Sequence, residues 1–184
     1  MRRCLQALSW QKPDDSPRWL LKSPVHLEQL DALLDVFPDA KIVQTHRDPN
    51  KTVASFCSMV AHGRGLFSDV VEPLEIGAHW LRKVQRMVHR AMDVRASRPP
   101  ESFMDVGYWE LMADPVAVAT AVCRFGGDSV EEPQCRRLHA WLSSNHQHRH
   151  GRHAYSAGDF GIGGSRIDEA MADYVAHHAV AVEC

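Results

Sequence analysis

The chain has 184 residues, 45% hydrophobic and 24% charged, enough for one compact core; this excludes a fibrous or disordered polypeptide. Lysine and arginine total 21 against 23 aspartates and glutamates, so the net charge of −2 argues against a general nucleic-acid binder. The longest apolar run, Val116 to Val122, falls far short of the ~18 residues of a membrane span. Met1-Arg2-Arg3 is followed by an apolar stretch broken at Gln6 and lacking a small-residue cleavage site, so no signal peptide is expected. The five cysteines are odd in number and widely spaced, with no Cys-x-x-Cys. That usage suits reduced thiols in the cytoplasm and neither a disulfide framework nor a zinc ribbon.

In chain order, Trp19-Leu20-Leu21 reads as a first strand, closed by Lys22-Ser23-Pro24. Leu27, Leu30, Leu33, Leu34 and Phe37 then recur at helical spacing from Val25 to Phe37, and Pro38-Asp39 stops the run. The β-branched segment Ala40 to Thr45 is a buried strand, ending at His46-Arg47-Asp48-Pro49. Asp48 as N-cap and Pro49 at the first position start a helix with Val53, Phe56, Cys57 and Val60 on its apolar face and Gly63 and Gly65 at its end. Glu75 to Ser97 is a long amphipathic helix with Ile76, Trp80, Val84, Met87, Ala91 and Val94 as its buried stripe. Arg82, Lys83, Arg86 and Arg90 form its solvated face. A third strand follows at Phe103 to Val106, then helices at Pro115–Phe125, Glu132–Ser144 and Ile167–His178. Strands alternating with helices predict an α/β domain with a small parallel sheet, and three strands are few for such a sheet. The chain is therefore expected to be the C-terminal part of a larger α/β fold, or a reduced version of one.

Two strand ends carry chemistry. At His46 to Ser55, an arginine at the end of a strand faces the free N–H groups and positive dipole end of the next helix, a geometry that favours phosphate. Ser55 lies about two turns into that helix, with its hydroxyl toward the same place. The same pattern also fits an Arg47 that ion-pairs within the fold and a Ser55 that packs as a small residue. At the earlier strand end, Lys22 falls on the same edge of a parallel sheet, where open α/β sheets bind ligands. Lys22 could neutralise a leaving oxygen and His26 could act as a base, although a lone histidine near a helix start is more often a capping or surface residue. His146, His148, His150 and His153 are dense enough to bind Ni²⁺ or Zn²⁺ adventitiously, but their spacing in a loop does not fix a tetrahedron, and no dedicated metal site is expected.

Leu20 to Leu27, followed by Phe37 to Pro49 and Ser55, resembles the bacterial sulfotransferases that use 3′-phosphoadenosine 5′-phosphosulfate (PAPS). Phe103 to Pro115, with its Glu-Leu-x-x-Asp-Pro, and His150 to Gly161 are similar to later segments of that family, so the resemblance runs from about Trp10 to Gly161. It implies a P-loop-like three-layer α/β/α fold and sulfuryl transfer from PAPS, without a metal, to a hydroxyl or amine of an unknown small-molecule, glycan or lipid acceptor. By the same resemblance Arg47 and Ser55 bind the 3′-phosphate, Lys22 stands near the bridging oxygen, His26 is the nearest base, and Arg149-His150-Gly151 is the loop that closes on the 3′-phosphate. The family's Gly-rich phosphosulfate loop does not precede Lys22, and Gly63-Arg64-Gly65 follows a helix rather than a strand. The expectation is thus a single N-terminally truncated domain over residues 1–184, cytoplasmic, with a complementing N-terminal chain or a homo-oligomer as partner. The alternative is a catalytically inactive nucleotide- or partner-binding fragment that keeps only the 3′-phosphate site.

Overall fold

The computed structural model describes residues 1–11, 18–147, 149, 151 and 153–183. Helix α1 (Arg2–Trp10) leads to a 3₁₀ helix (Pro24–Gln29) that runs into α2 (Leu30–Val36), then strand β1 (Ile42–His46). Helices α3 (Pro49–Gly65) and α4 (Pro73–Ala96) form the crossover to strand β2 (Phe103–Gly107). Helices α5 (Tyr108–Ala113), α6 (Pro115–Phe125) and α7 (Glu132–Ser144) follow, and a second 3₁₀ helix (Ala157–Phe160) precedes α8 (Ser165–His178).

β1 and β2 pair in parallel, with Ile42 opposite Phe103 and His46 opposite Gly107. Parallel neighbours need a long crossover, and α3 with α4 supplies it. The expected strand at Trp19–Leu21 is absent: among the described residues the sheet has two strands. Leu20 is 90% exposed, and the Trp19 indole donates to Ser9 Oγ of α1 at 3.0 Å. A three-residue run with no neighbour to complete a ladder gains too little to order as a strand. The helix expected over 25–37 is split, because Ser23 Oγ takes the Val25 N–H at 3.3 Å and the first turns wind as 3₁₀. α1 and α5 form where the apolar spacing predicts no element.

α3 starts as the sequence predicts, with Asp48 Oδ1 accepting the Asn50 N–H at 2.8 Å and Pro49 in the first turn. α6 repeats the device: Asp114 accepts from the Ala117 N–H at 2.9 Å, ahead of Pro115. The main core lies between α3, α4, the second 3₁₀ helix and α8, where Val53, Cys57, Ile76, Phe160, Ile167 and Met171 are buried together. A smaller cluster joins Leu30 and Leu34 of α2 to Ala91 of α4. The basic face of α4 is not simply solvated: Lys83 and Arg86 pair with Glu28 at 3.2 and 3.0 Å, and Arg90 pairs with Asp31 at 2.7 Å. These pairs fasten the 24–36 segment to α4.

Candidate anion site at the end of strand β1

Alternation along β1 leaves Val43 and Thr45 exposed and turns Gln44 and His46 inward. The next two residues leave the strand and start α3, so their side chains sit at the carboxyl end of the sheet, where open α/β sheets hold ligands. Arg47 is half-buried, and its Nε and one terminal nitrogen lie 2.6 and 2.9 Å from the two Glu183 carboxylate oxygens. The guanidinium also stacks 3.9 Å from the ring centre of Tyr108, the first residue of α5. Asp48, only 1% exposed, caps α3 with one oxygen and accepts the Glu183 N–H with the other at 3.0 Å. The tail reaches this position because Ala179 adopts a left-handed conformation (φ 48°). The Arg47 hydrogen bonds hold the Glu183 carboxyl below its ordinary pKa, against the effect of burial.

A second network lies behind Arg47. His46, 6% exposed, has Nδ1 2.9 Å from the Tyr174 hydroxyl and Nε2 2.7 Å from Asp105 Oδ1. Arg95 donates to both Asp105 oxygens at 2.7 and 2.6 Å and to Gln44 Oε1 at 2.7 Å. Burial raises the Asp105 carboxyl, but Arg95 and His46 outweigh it and hold its pKa at about 2. Burial lowers His46, with Asp105 opposing. Burial, then His46 and Arg95, take His178 down to about 4, and burial lifts Tyr174 to about 12. The two networks meet at a cavity of about 300 Å³, lined among others by Arg47, Asp105, Tyr108, Trp109, His178 and Glu183.

Among the described residues expected from sequence to be catalytic or nucleotide-binding, only Arg47 lines this cavity, with its neighbour Asp48, the expected helix cap, beside it. Ser55 is half-buried two turns into α3; one turn further on, Ser58 Oγ lies 2.7 Å from His153 Nε2. Arg149 donates at 3.1 Å to Ser144 O and Asn145 Oδ1 at the end of α7. Gly151 is exposed at φ 95°, and His150 lies outside the described residues. Lys22 is exposed, ahead of the first 3₁₀ helix, and His26 is half-buried within that helix, which packs on α4. Sequence reasoning named neither Glu183, Tyr108 and His178 nor the roles of His46 and Asp105. The available signal was the polar pair Gln44 and His46, two residues apart, at inward positions of a strand.

The family described as the sulfotransferase family matches residues 1–132. The chain belongs to the sulfotransferase family. Its fold, mostly helical with a small parallel sheet, superposes on sulfotransferase STF9 from Mycobacterium avium with a TM-score of 0.86 and 27% identity, covering 98% of this chain and 46% of that one. Sulfotransferase STF1 from Mycobacterium tuberculosis H37Rv superposes with a TM-score of 0.70 and 32% identity, over 85% of this chain and 40% of that one. The chain thus spans less than half the length of these two sulfotransferases. No curated protein sequence matches it. Among the described residues no helix is long and apolar enough to cross a membrane.

Proposed function

We propose that this sulfotransferase-family chain forms one domain that takes PAPS as sulfuryl donor, and that Arg47 receives the 3′-phosphate of the nucleotide. The observation that carries this reading is the two-point grip of Arg47 on the Glu183 carboxylate beside the capped start of α3. A phosphate offers the guanidinium fork the same pair of oxygens with more charge, and the helix start adds its dipole. Glu183 therefore stands where the 3′-phosphate binds, and nucleotide entry displaces the tail. Ser55 is the second phosphate ligand in this reading, and the segment Arg149 to Gly151 closes over it.

In the reaction so proposed, an acceptor hydroxyl or amine attacks the sulfur in line. The bond from sulfur to the bridging oxygen breaks, and adenosine 3′,5′-bisphosphate leaves with the electron pair. Lys22 neutralises the bridging oxygen and His26 takes the acceptor proton, so that positioning and charge supply the catalysis. A second reading, nucleotide binding without transfer, is favoured by one observation: neither Lys22 nor His26 lines the Arg47 cavity.

Calorimetric titration with adenosine 3′,5′-bisphosphate, with AMP as the control lacking a 3′-phosphate, tests the assignment. Selective binding of the bisphosphate is expected, with a loss of about 100-fold in Arg47→Ala, the worth of a charge-assisted pair. Equal affinity for the two nucleotides, or an unchanged affinity in the variant, would refute the phosphate site. Bisphosphate binding without turnover of PAPS would decide for the second reading.

A further inference from the structure

His46, Asp105 and His178 each bring a ligand atom to a place where all three lie within 4.8 Å of one another. They come from three elements, the end of β1, the middle of β2 and the last turn of α8, and all three border the cavity beside Arg47. We propose that these side chains form a binding site for a divalent transition-metal ion of the Zn²⁺ class. Two imidazole nitrogens and one carboxylate oxygen are its protein ligands, and the remaining position opens to the cavity.

His178 gives the first reason. Its Nε2 is buried without a hydrogen-bond partner among the described residues, whereas buried ring nitrogens are as a rule satisfied. The His178 ring centre is 4.3 Å from that of His46, so the unsatisfied ring leans on the one already bound to Asp105. A cation shared by both rings satisfies the group that the fold leaves wanting.

The supporting contacts are in place: Tyr174 fixes the far nitrogen of His46 at 2.9 Å, and Arg95 orients Asp105 through both oxygens.

Among the described residues Arg95 is the cation bonded to this cluster, and the bonding count shows how it is accommodated. Asp105 Oδ1 accepts from His46 and from Arg95, filling its two lone pairs. An ion replaces the proton on His46 Nε2. That proton moves to Nδ1, toward a Tyr174 hydroxyl that turns to accept it, so the protein's own charge and the number of bonds to Asp105 are unchanged, and the ion adds its two positive charges to the site. Tetrahedral bonds of ~2.0–2.1 Å place ligand atoms roughly 3.3 Å apart. The 2.7 Å separation of His46 Nε2 and Asp105 Oδ1 therefore opens slightly, while the wider separations close by rotation of the side chains. Two nitrogens and one oxygen suit Zn²⁺ or Co²⁺, whereas Mg²⁺ and Ca²⁺ require oxygen ligands.

The histidine tract after α7 can bind such ions independently, so the test uses a background in which His146, His148, His150 and His153 are all changed to glutamine. Titration of this chain with Co²⁺ is expected to bind one equivalent, with the visible absorption of a low-symmetry four-coordinate site that Zn²⁺ then displaces. His178→Gln in the same background is expected to lose at least tenfold in affinity, as loss of one ligand requires. Should that variant unfold, ¹⁵N spectra of the background chain take its place, with Zn²⁺ moving the ring nitrogens of both His46 and His178. Absence of binding in the background, equal affinity in His178→Gln, or ring nitrogens that do not move would each overturn the site. None of these readouts involves nucleotide, so the metal site and the PAPS reading stand or fall separately.

Discussion

The two strand ends that carry chemistry in the sequence are treated very differently by the fold. At Arg47, the strand pairs with β2, the capping aspartate is buried, and the arginine is gripped from one side by Glu183 and backed by Tyr108 on another. At Lys22, no strand forms, and Leu20 and Leu21 stand exposed. Both have the same kind of local sequence, a short apolar run ended by a basic residue and a proline. The difference lies in what surrounds them: β1 is bonded to α4 through Gln44 and Arg95 and to α8 through His46 and Tyr174, and it leads directly into α3, while the 18–23 stretch is held by surface contacts, the Trp19 hydrogen bond to α1 and the pairing of Arg18 with Asp128 and the Gly126 carbonyl among them. A site becomes organised where the core reaches it, and the core of this chain reaches Arg47.

The contrast is broken most severely by attacking the scaffold of the organised side. Gly77 in α4 packs against the second 3₁₀ helix so closely that a Cβ there would sit 2.0 Å from the Phe160 carbonyl oxygen. The obstacle is backbone, which cannot rotate away. Gly77→Ala is expected to cost about 3 kcal/mol as the helix and the 3₁₀ segment are forced apart. Thermal unfolding followed by circular dichroism would show this as a drop of roughly 10 °C. A drop below 2 °C would mean that this close approach does not hold α4 and the second 3₁₀ helix together.

Glu183→Gln tests the tail itself, with a smaller effect. Loss of the ion pair, whose side chains are about a third exposed, removes about 1 kcal/mol of stability and, with the competing carboxylate gone, raises bisphosphate affinity roughly fivefold. The pH dependence has a definite sign. The Glu183 carboxyl is held below its ordinary 4.5 in the folded chain, so the unfolded chain takes up the proton first as the pH falls. The advantage of wild type over the variant is therefore fully present above pH 4.5 and disappears as the pH drops through the lowered folded value. A stability difference independent of pH between 7 and 3 would show that the tail is held by Val180 and the backbone, not by its charge.

Much of this organisation was legible in the sequence, for identifiable reasons. The α3 start was readable because Asp48-Pro49 is a purely local signal, and α6 and α7 were readable from period and proline. The inward-facing His46 was legible in principle, since alternation places it with Gln44. Glu183 was not: its partner stands 136 residues away in sequence, and no local pattern announces that the Ala179 turn will carry the tail back to β1. The false strand at Trp19–Leu21 has the opposite cause. Its composition is that of a strand, but strands need neighbours, and a neighbour is not a property of three residues.

The open side of the comparison yields the smallest effect and the sharpest check on the picture. Leu20 is 90% exposed, whereas Leu30, ten positions on, is 1% exposed in the α2–α4 cluster. Removing apolar atoms from an exposed position forfeits almost no burial, so Leu20→Asp is expected to change stability by less than about 0.5 kcal/mol. Leu30→Ala, by contrast, forfeits packing on the order of 3 kcal/mol. Urea unfolding of the two variants side by side measures both. If Leu20→Asp instead cost more than about 1 kcal/mol, Leu20 would have to be packed in solution. The Lys22 edge would then be as organised as the Arg47 edge, and the separation of the two would no longer favour binding without transfer.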